Sequence, residues 1–139
     1  MIYLKGVGMK RVLIVMMLVS TFAFAEYTKE DRVADMAAMA DGMAEIQKGF
    51  LYNSKEMIDS GVAKVRNHAL MIQPPRIGEA LSRDQTYALM FARKQQRKID
   101  SHAALVAEKF ANNDKYSAMN HFTKVLKQCT ACHVKLRKW

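Results

Sequence analysis

The residue types able to do chemistry gather near the C-terminus, in Cys129-Thr130-Ala131-Cys132-His133. These are the only 2 cysteines of the 139-residue chain, which excludes a disulfide scaffold. On a helix, two thiols three positions apart share about one turn. Each can then add to one of the two vinyl groups along one edge of a porphyrin. The adjacent imidazole is carried over the ring, where it reaches the iron as proximal ligand. Cys-x-x-Cys-His is the attachment signature of a c-type haem. Other uses of the pair fit less well. A thioredoxin-like Cys-x-x-Cys sits between a strand and a helix, and no βαβ pattern exists here. A structural zinc site needs four ligands, and beyond the motif only the scattered His68, His102 and His121 remain. A disulfide across so short a loop would contribute little and would not need His133.

The other end of the chain agrees with this chemistry. Lys5, Lys10 and Arg11 precede an apolar run from Val12 to Val19, and Ala23 and Ala25 form an A-x-A cleavage pattern before the polar stretch at Glu26–Glu30. All three parts of a secretory signal peptide are present, over residues 1–25. The apolar run is too short to span a bilayer comfortably. Met9-Lys10-Arg11 would make an equally tidy start. Cleavage removes three of the 22 basic residues and none of the 13 acidic ones, so the remaining 26–139 carries +6. Export predicts a periplasmic protein, with haem attached after translocation. A nucleic-acid partner is excluded on the same ground. The basic clusters Arg93-Lys94, Arg97-Lys98 and Lys124, Lys127, Lys135, Arg137, Lys138 read as solvated faces, some of which steer an acidic redox partner protein.

The elements that must position the motif follow from apolar period. Arg32, Met36, Met39, Met43, Ile46 and Phe50 recur at steps of three and four, predicting a helix over 29–50 with Thr28 and Asp31 as a capping pair. Ser54 caps a second helix with Met57, Ile58, Val62, Val65, Ala69 and Ile72 inward, ended by Gln73-Pro74-Pro75. Ser82 with Gln85 is a capping box for a third helix. Its stripe is Leu89, Ala92, Gln96, Ile99, Ala103, Val106 and Phe110, stopping at Asn112-Asn113. Asp114 caps a fourth, with Tyr116, Met119, Phe122, Leu126, Cys129, His133 and Leu136 along one side. No strand-like alternation and no internal repeat interrupts them. The expectation is an all-α, antiparallel up-down-up-down four-helix bundle in one domain, 26–139.

In such a bundle the first and fourth helices are antiparallel neighbours. His133 lies about 6 Å from the end of a fourth helix that stops near Arg137, and Met36 about 10 Å into a first helix that begins near Lys29. Both side chains then reach one end of the bundle, on opposite faces of a haem held between the two helices. Met39 shares that stripe, whereas Met43 is about 20 Å in and too deep. Met43, Met57, Met71, Met90 and Met119 read as core filling. His68, His102 and His121 read as surface or boundary residues, with no hydrolytic grouping beside them.

A signal peptide, four helices and one C-terminal Cys-x-x-Cys-His resemble the class II c-type cytochromes, the cytochrome c-prime proteins and their low-spin relatives. The likeness covers essentially all of 26–139 and is most specific at Cys129–Arg137. The resemblance implies one covalent haem c on Cys129 and Cys132, with His133 as proximal ligand. Arg137 would be the basic residue that often stands four positions after that histidine. Arg32 and Met36 match the family's early arginine and the distal haem residue four positions later. A Met36 ligand would make a low-spin electron carrier, a non-catalytic role. An unligated distal side would instead give a five-coordinate protein that binds nitric oxide or carbon monoxide. The resemblance also implies a homodimer through the first two helices.

Overall fold

The computed structural model describes residues 28–70 and 83–137, and these form four helices. They are α1 (Lys29–Tyr52), α2 (Lys55–Leu70), α3 (Arg83–Ala111) and α4 (Lys115–Arg137), with no strand among the described residues. The expected signal segment, the Gln73-Pro74-Pro75 stop, Ser82 and the Gln85 side chain lie outside the described residues.

Local chemistry sets the helix ends. Thr28 and Asp31 close a reciprocal capping box at the start of α1, Asp31 N–H donating to Thr28 Oγ1 (3.1 Å) and Thr28 N–H to Asp31 Oδ2 (2.7 Å). The turn between α1 and α2 and the turn between α3 and α4 share one construction. Asn53 and Asn113 take left-handed backbone conformations (φ 50° and 62°), which asparagine tolerates better than most residues. The next N–H reaches back five residues, Ser54 to Gly49 O and Asp114 to Lys109 O, both at 2.9 Å. Ser54 Oγ then accepts from Met57 N–H (3.3 Å) and Asp114 Oδ1 from Ser117 N–H (3.1 Å), which starts the following helix. At these two turns one helix is closed and the next opened within two or three residues, so α1 and α2, and likewise α3 and α4, run antiparallel.

Successive helices pack on one another, α1 on α2, α2 on α3 and α3 on α4. Glu45–Lys64 and Arg66–Asp100, each at 2.7 Å, join the first two of these seams at the surface. One core runs through Met39 and Ile46 of α1, Ile58, Val62, Val65 and Ala69 of α2, Ile99, Ala103, Val106 and Phe110 of α3, and Ala118 and Val125 of α4. The fold is therefore the expected all-α four-helix bundle.

Two inner faces differ from the apolar periods. On α3 the buried glutamine is Gln95 (5% exposed) rather than Gln96. On α4 the buried positions are Ala118 and Val125, while Tyr116, Met119, Leu126 and Leu136 of the expected stripe are exposed. The reason is rotational: α4 turns its small and β-branched residues onto α3. Its larger apolar residues are left toward α1, where the packing is open.

Candidate haem site

Cys129 and Cys132 stand about one turn apart on α4, half-buried, with the half-buried His133 beside them. Cys129 packs against the core cluster, and the two thiols are not joined in a disulfide. Burial, and next the neighbouring Cys132, push the Cys129 thiol up to about 11. Disulfide oxidoreductases need the opposite, a thiol activated by a lowered pKa. Cys129 is thus a half-buried thiol packed against apolar neighbours and held protonated.

Facing it across the bundle, α1 presents two different lines of residues. Asp35, Met39, Gly42, Ile46 and Gly49 are buried. Met36, Met43 and Phe50, each about two turns from the next, are half-buried at the edge of the core. Met43, Phe50 and Leu51 of α1 with Met119, Phe122 and Leu126 of α4 line an apolar cleft of about 430 Å³. That volume lies within the size class of small-molecule sites. Phe50 closes the cleft at one end, edge-on to Phe110 (5.6 Å between ring centres) and to Phe122 (5.8 Å). Lys115 Nζ lies 3.4 Å over the Phe110 ring and donates to Phe110 O, which fixes that end further.

Away from the aromatic end, register decides what faces what. Met43 and Leu126 border the same cleft on antiparallel helices. The Phe50–Phe122 contact sets the register: four turns along each helix, Met36 comes level with about Leu136, about one turn from His133. Met39 drops out of this line because it is buried in the core (6% exposed). Arg32 is exposed one turn before Met36, and Arg137 ends α4 with its side chain outside the described residues.

Among the described residues, one buried side-chain atom has no hydrogen-bond partner. Gln95 Oε1 is enclosed without a hydrogen-bond donor, an arrangement that costs desolvation energy in a packed interior. His102 of α3 touches His121 of α4. Two turns beyond that contact, Gln95 lies level with Gln128 and Cys129. An orphaned acceptor, the core-facing Cys129 thiol one turn from Cys132, and an apolar cleft between α1 and α4 fit a large, flat prosthetic group with polar edges. Cys129, Cys132, His133 and Met36 are the candidates that the sequence singles out. Gln95 is not among them, because it breaks the apolar stripe instead of extending it.

Two histidine pairings were also missed. His68 Nδ1 bonds the buried Asp35 at 2.8 Å, and His102 Nδ1 meets His121 Nδ1 at 3.2 Å. Both partners come from different helices, so no local spacing signals them. Burial holds His102 and His121 below the usual histidine value. Among the described residues no cluster of three or more His, Cys, Asp or Glu could hold a metal ion. No family model, curated protein or solved structure matches the chain.

Proposed function

We propose that this chain is an exported, periplasmic monohaem c-type cytochrome that carries single electrons, resembling the low-spin class II proteins. The observation that carries the reading is the Cys129, Cys132 and His133 grouping on one turn of α4, one turn beyond Leu126 of an apolar cleft whose opposite wall carries Met43, with Met36 two turns further along α1. When bound, a haem would supply a one-electron iron couple held in apolar surroundings. Cys129 and Cys132 would hold it through thioethers, His133 on the proximal side and Met36 on the distal side.

The protein residues would do the rest. Phe50, Phe110 and Phe122 close one end and exclude water there, which keeps the local dielectric low. Met36 rides on a helix whose start is fixed by the Thr28–Asp31 box, so its position varies little as charge changes. Little rearrangement is what an electron carrier needs. Lys124, Lys127 and Lys135 are exposed on α4 and form a positive approach for an acidic partner protein. Arg32 and Arg137, flanking the two ligands in sequence, would offset carboxylates at the haem edge. No described helix is long and apolar enough to cross a membrane.

The test is covalent retention. Haem should stay with the chain after acid–acetone extraction, and the chain should be heavier by one haem. Cys129→Ala with Cys132→Ala should abolish retention, and His133→Ala should lose the native spectrum even where thioethers form. Freely extractable haem in wild type would overturn the reading.

A further inference from the structure

Among the described residues, two imidazoles meet between α3 and α4. His102, in the middle of α3, and His121, in the second turn of α4, bring their Nδ1 atoms to 3.2 Å. Their rings are 5.3 Å apart between centres and tilted by 39°. Two imidazole nitrogens this close cannot both carry protons. Either one donates to the other, or both lone pairs point at a shared cation.

The distance suits the second case. Nitrogen–zinc bonds of about 2.0–2.1 Å across a tetrahedral angle separate the two nitrogens by about 3.3 Å. Both rings are also held in the neutral, ligating form. Burial lowers His102 first, then the charges of His121, Lys124 and Lys98. Burial lowers His121 first, then Lys124 and Lys109, with Glu108 opposing. Lys98 and Lys124 are exposed, so their charges sit in screening solvent.

We propose that His102 and His121 form a two-imidazole chelate for one divalent transition-metal ion of the zinc or copper class, with water completing the coordination. Imidazole pairs favour these borderline ions over magnesium or calcium, which prefer oxygen. No third His, Cys, Asp or Glu joins the pair among the described residues. The site is therefore an exchangeable one rather than a closed structural centre. A bound ion would tie α3 to α4 about 12 Å along the helix from Cys129. The site uses none of Cys129, Cys132 and His133, so it stands whether or not the haem reading does.

The experiment is calorimetric titration of the full chain with zinc chloride, both cysteines being in thioether linkage or alkylated so that thiols do not compete. Wild type and His68→Gln should bind one zinc ion each. His102→Gln and His121→Gln should each lose at least tenfold in affinity, and binding should weaken as pH falls through the lowered values of the two imidazoles, below the ordinary 6.5. His102→Asp, which returns an oxygen ligand, should recover part of the loss. Zinc should raise the melting temperature of wild type but not of His102→Gln. No binding at millimolar zinc, or binding unchanged in both glutamine variants, would overturn the proposal and leave a simple Nδ1–H···Nδ1 hydrogen bond.

Discussion

The two sides of α1 are built on opposite terms. Against α2 the helix is closed to backbone contact: a Cβ placed on Gly61 would stand 2.6 Å from Gly42 O and 2.8 Å from Ile46 Cγ1. A Cβ on Gly42 would meet Gly61 O at 2.8 Å. Against α4 the same helix stays apart, with Met43, Gln47 and Leu51 lining an open apolar cleft. Neither side is short of apolar residues. What differs is residue size: glycines permit one seam to close, while methionines and Phe50 hold the other open at its edge. One face of α1 is thus packed backbone to backbone, and the other leaves an apolar cleft in which the proposed haem would find room.

The largest effects should come from disturbing the closed seam. Gly61→Ala pushes a methyl into the Gly42 carbonyl and the Ile46 backbone. Overpacking costs about 1–3 kcal/mol, and the better helix propensity of alanine returns about 1 kcal/mol, so a net loss remains. Gly61→Val should cost about 3 kcal/mol or more. A lowered urea midpoint at unchanged slope is the measurement. In the cleft, Met43→Leu keeps its volume beside open space and should cost less than about 1 kcal/mol. Equal losses at Gly61 and Met43 would erase the distinction between the two sides.

Met36→Ala tests the open side by spectrum rather than stability. If Met36 ligates, the oxidised wild type is low-spin and shows the weak far-red band of sulfur–iron(III) ligation. Met36→Ala should abolish that band and admit carbon monoxide quickly. Met39→Ala should keep the band and cost about 2–5 kcal/mol, since its side chain is buried in the core. A high-spin wild type that binds carbon monoxide readily would favour the gas-binding alternative over electron carriage.

How much of this was legible follows from the range of the interactions. Thr28, Ser54 and Asp114 act on N–H groups within three residues, so the sequence alone located the starts of α1, α2 and α4. The core positions Ile46, Val65, Ile99 and Val106 follow from period, because a stripe repeated over several turns averages out local exceptions. What was missed depends on the rotation of one helix against another. Gly42 against Gly61 and His102 against His121 join residues 19 apart in sequence, and their meeting depends on the crossing of two helices. Gln95 rather than Gln96 is a one-position error, a rotation of about 100° on a helix of 29 residues. Α mixed stripe of polar and small residues does not resolve that angle. On α4 the large apolar residues drew the expected face toward Leu126, whereas the seam with α3 selects the small Ala118 and Val125.

Gln95→Leu should separate the two states of the cleft. In haem-free protein it removes a buried acceptor without a partner, so stability should stay level or rise by about 1 kcal/mol. In haem-bound protein the same change should be less favourable and should move the reduction potential, if the amide oxygen finds a donor there. Equal stability changes in both states and an unmoved potential would make Gln95 a packing residue only.

The smallest effects are electrostatic and divide into two pH windows. His102 and His121 are depressed below the ordinary 6.5, chiefly by burial. The unfolded chain therefore takes up protons first as pH falls. Their contribution is complete above about 6.5 and is lost as pH drops through the folded values. The groups acting on the pair are Lys98, Lys109 and Glu108 of α3 and Lys124 of α4. Asp31 is depressed below 3.8 by the Thr28 backbone hydrogen bond, and Asp114 by hydrogen bonds from Ser117. Their contribution is present above about 3.8 and is lost below it. Thermal melts across pH, run with a chelator so that no metal ion competes with the protons, should therefore decline in two steps. His102→Gln should flatten the upper step and leave the lower one, and Asp31→Asn should do the reverse. Because the histidines tie α3 to α4 while Asp31 only starts α1, amide exchange during the upper step should rise first along the α3–α4 seam. Exchange rising first between α1 and α2 would mean that the histidine pair does not control that step.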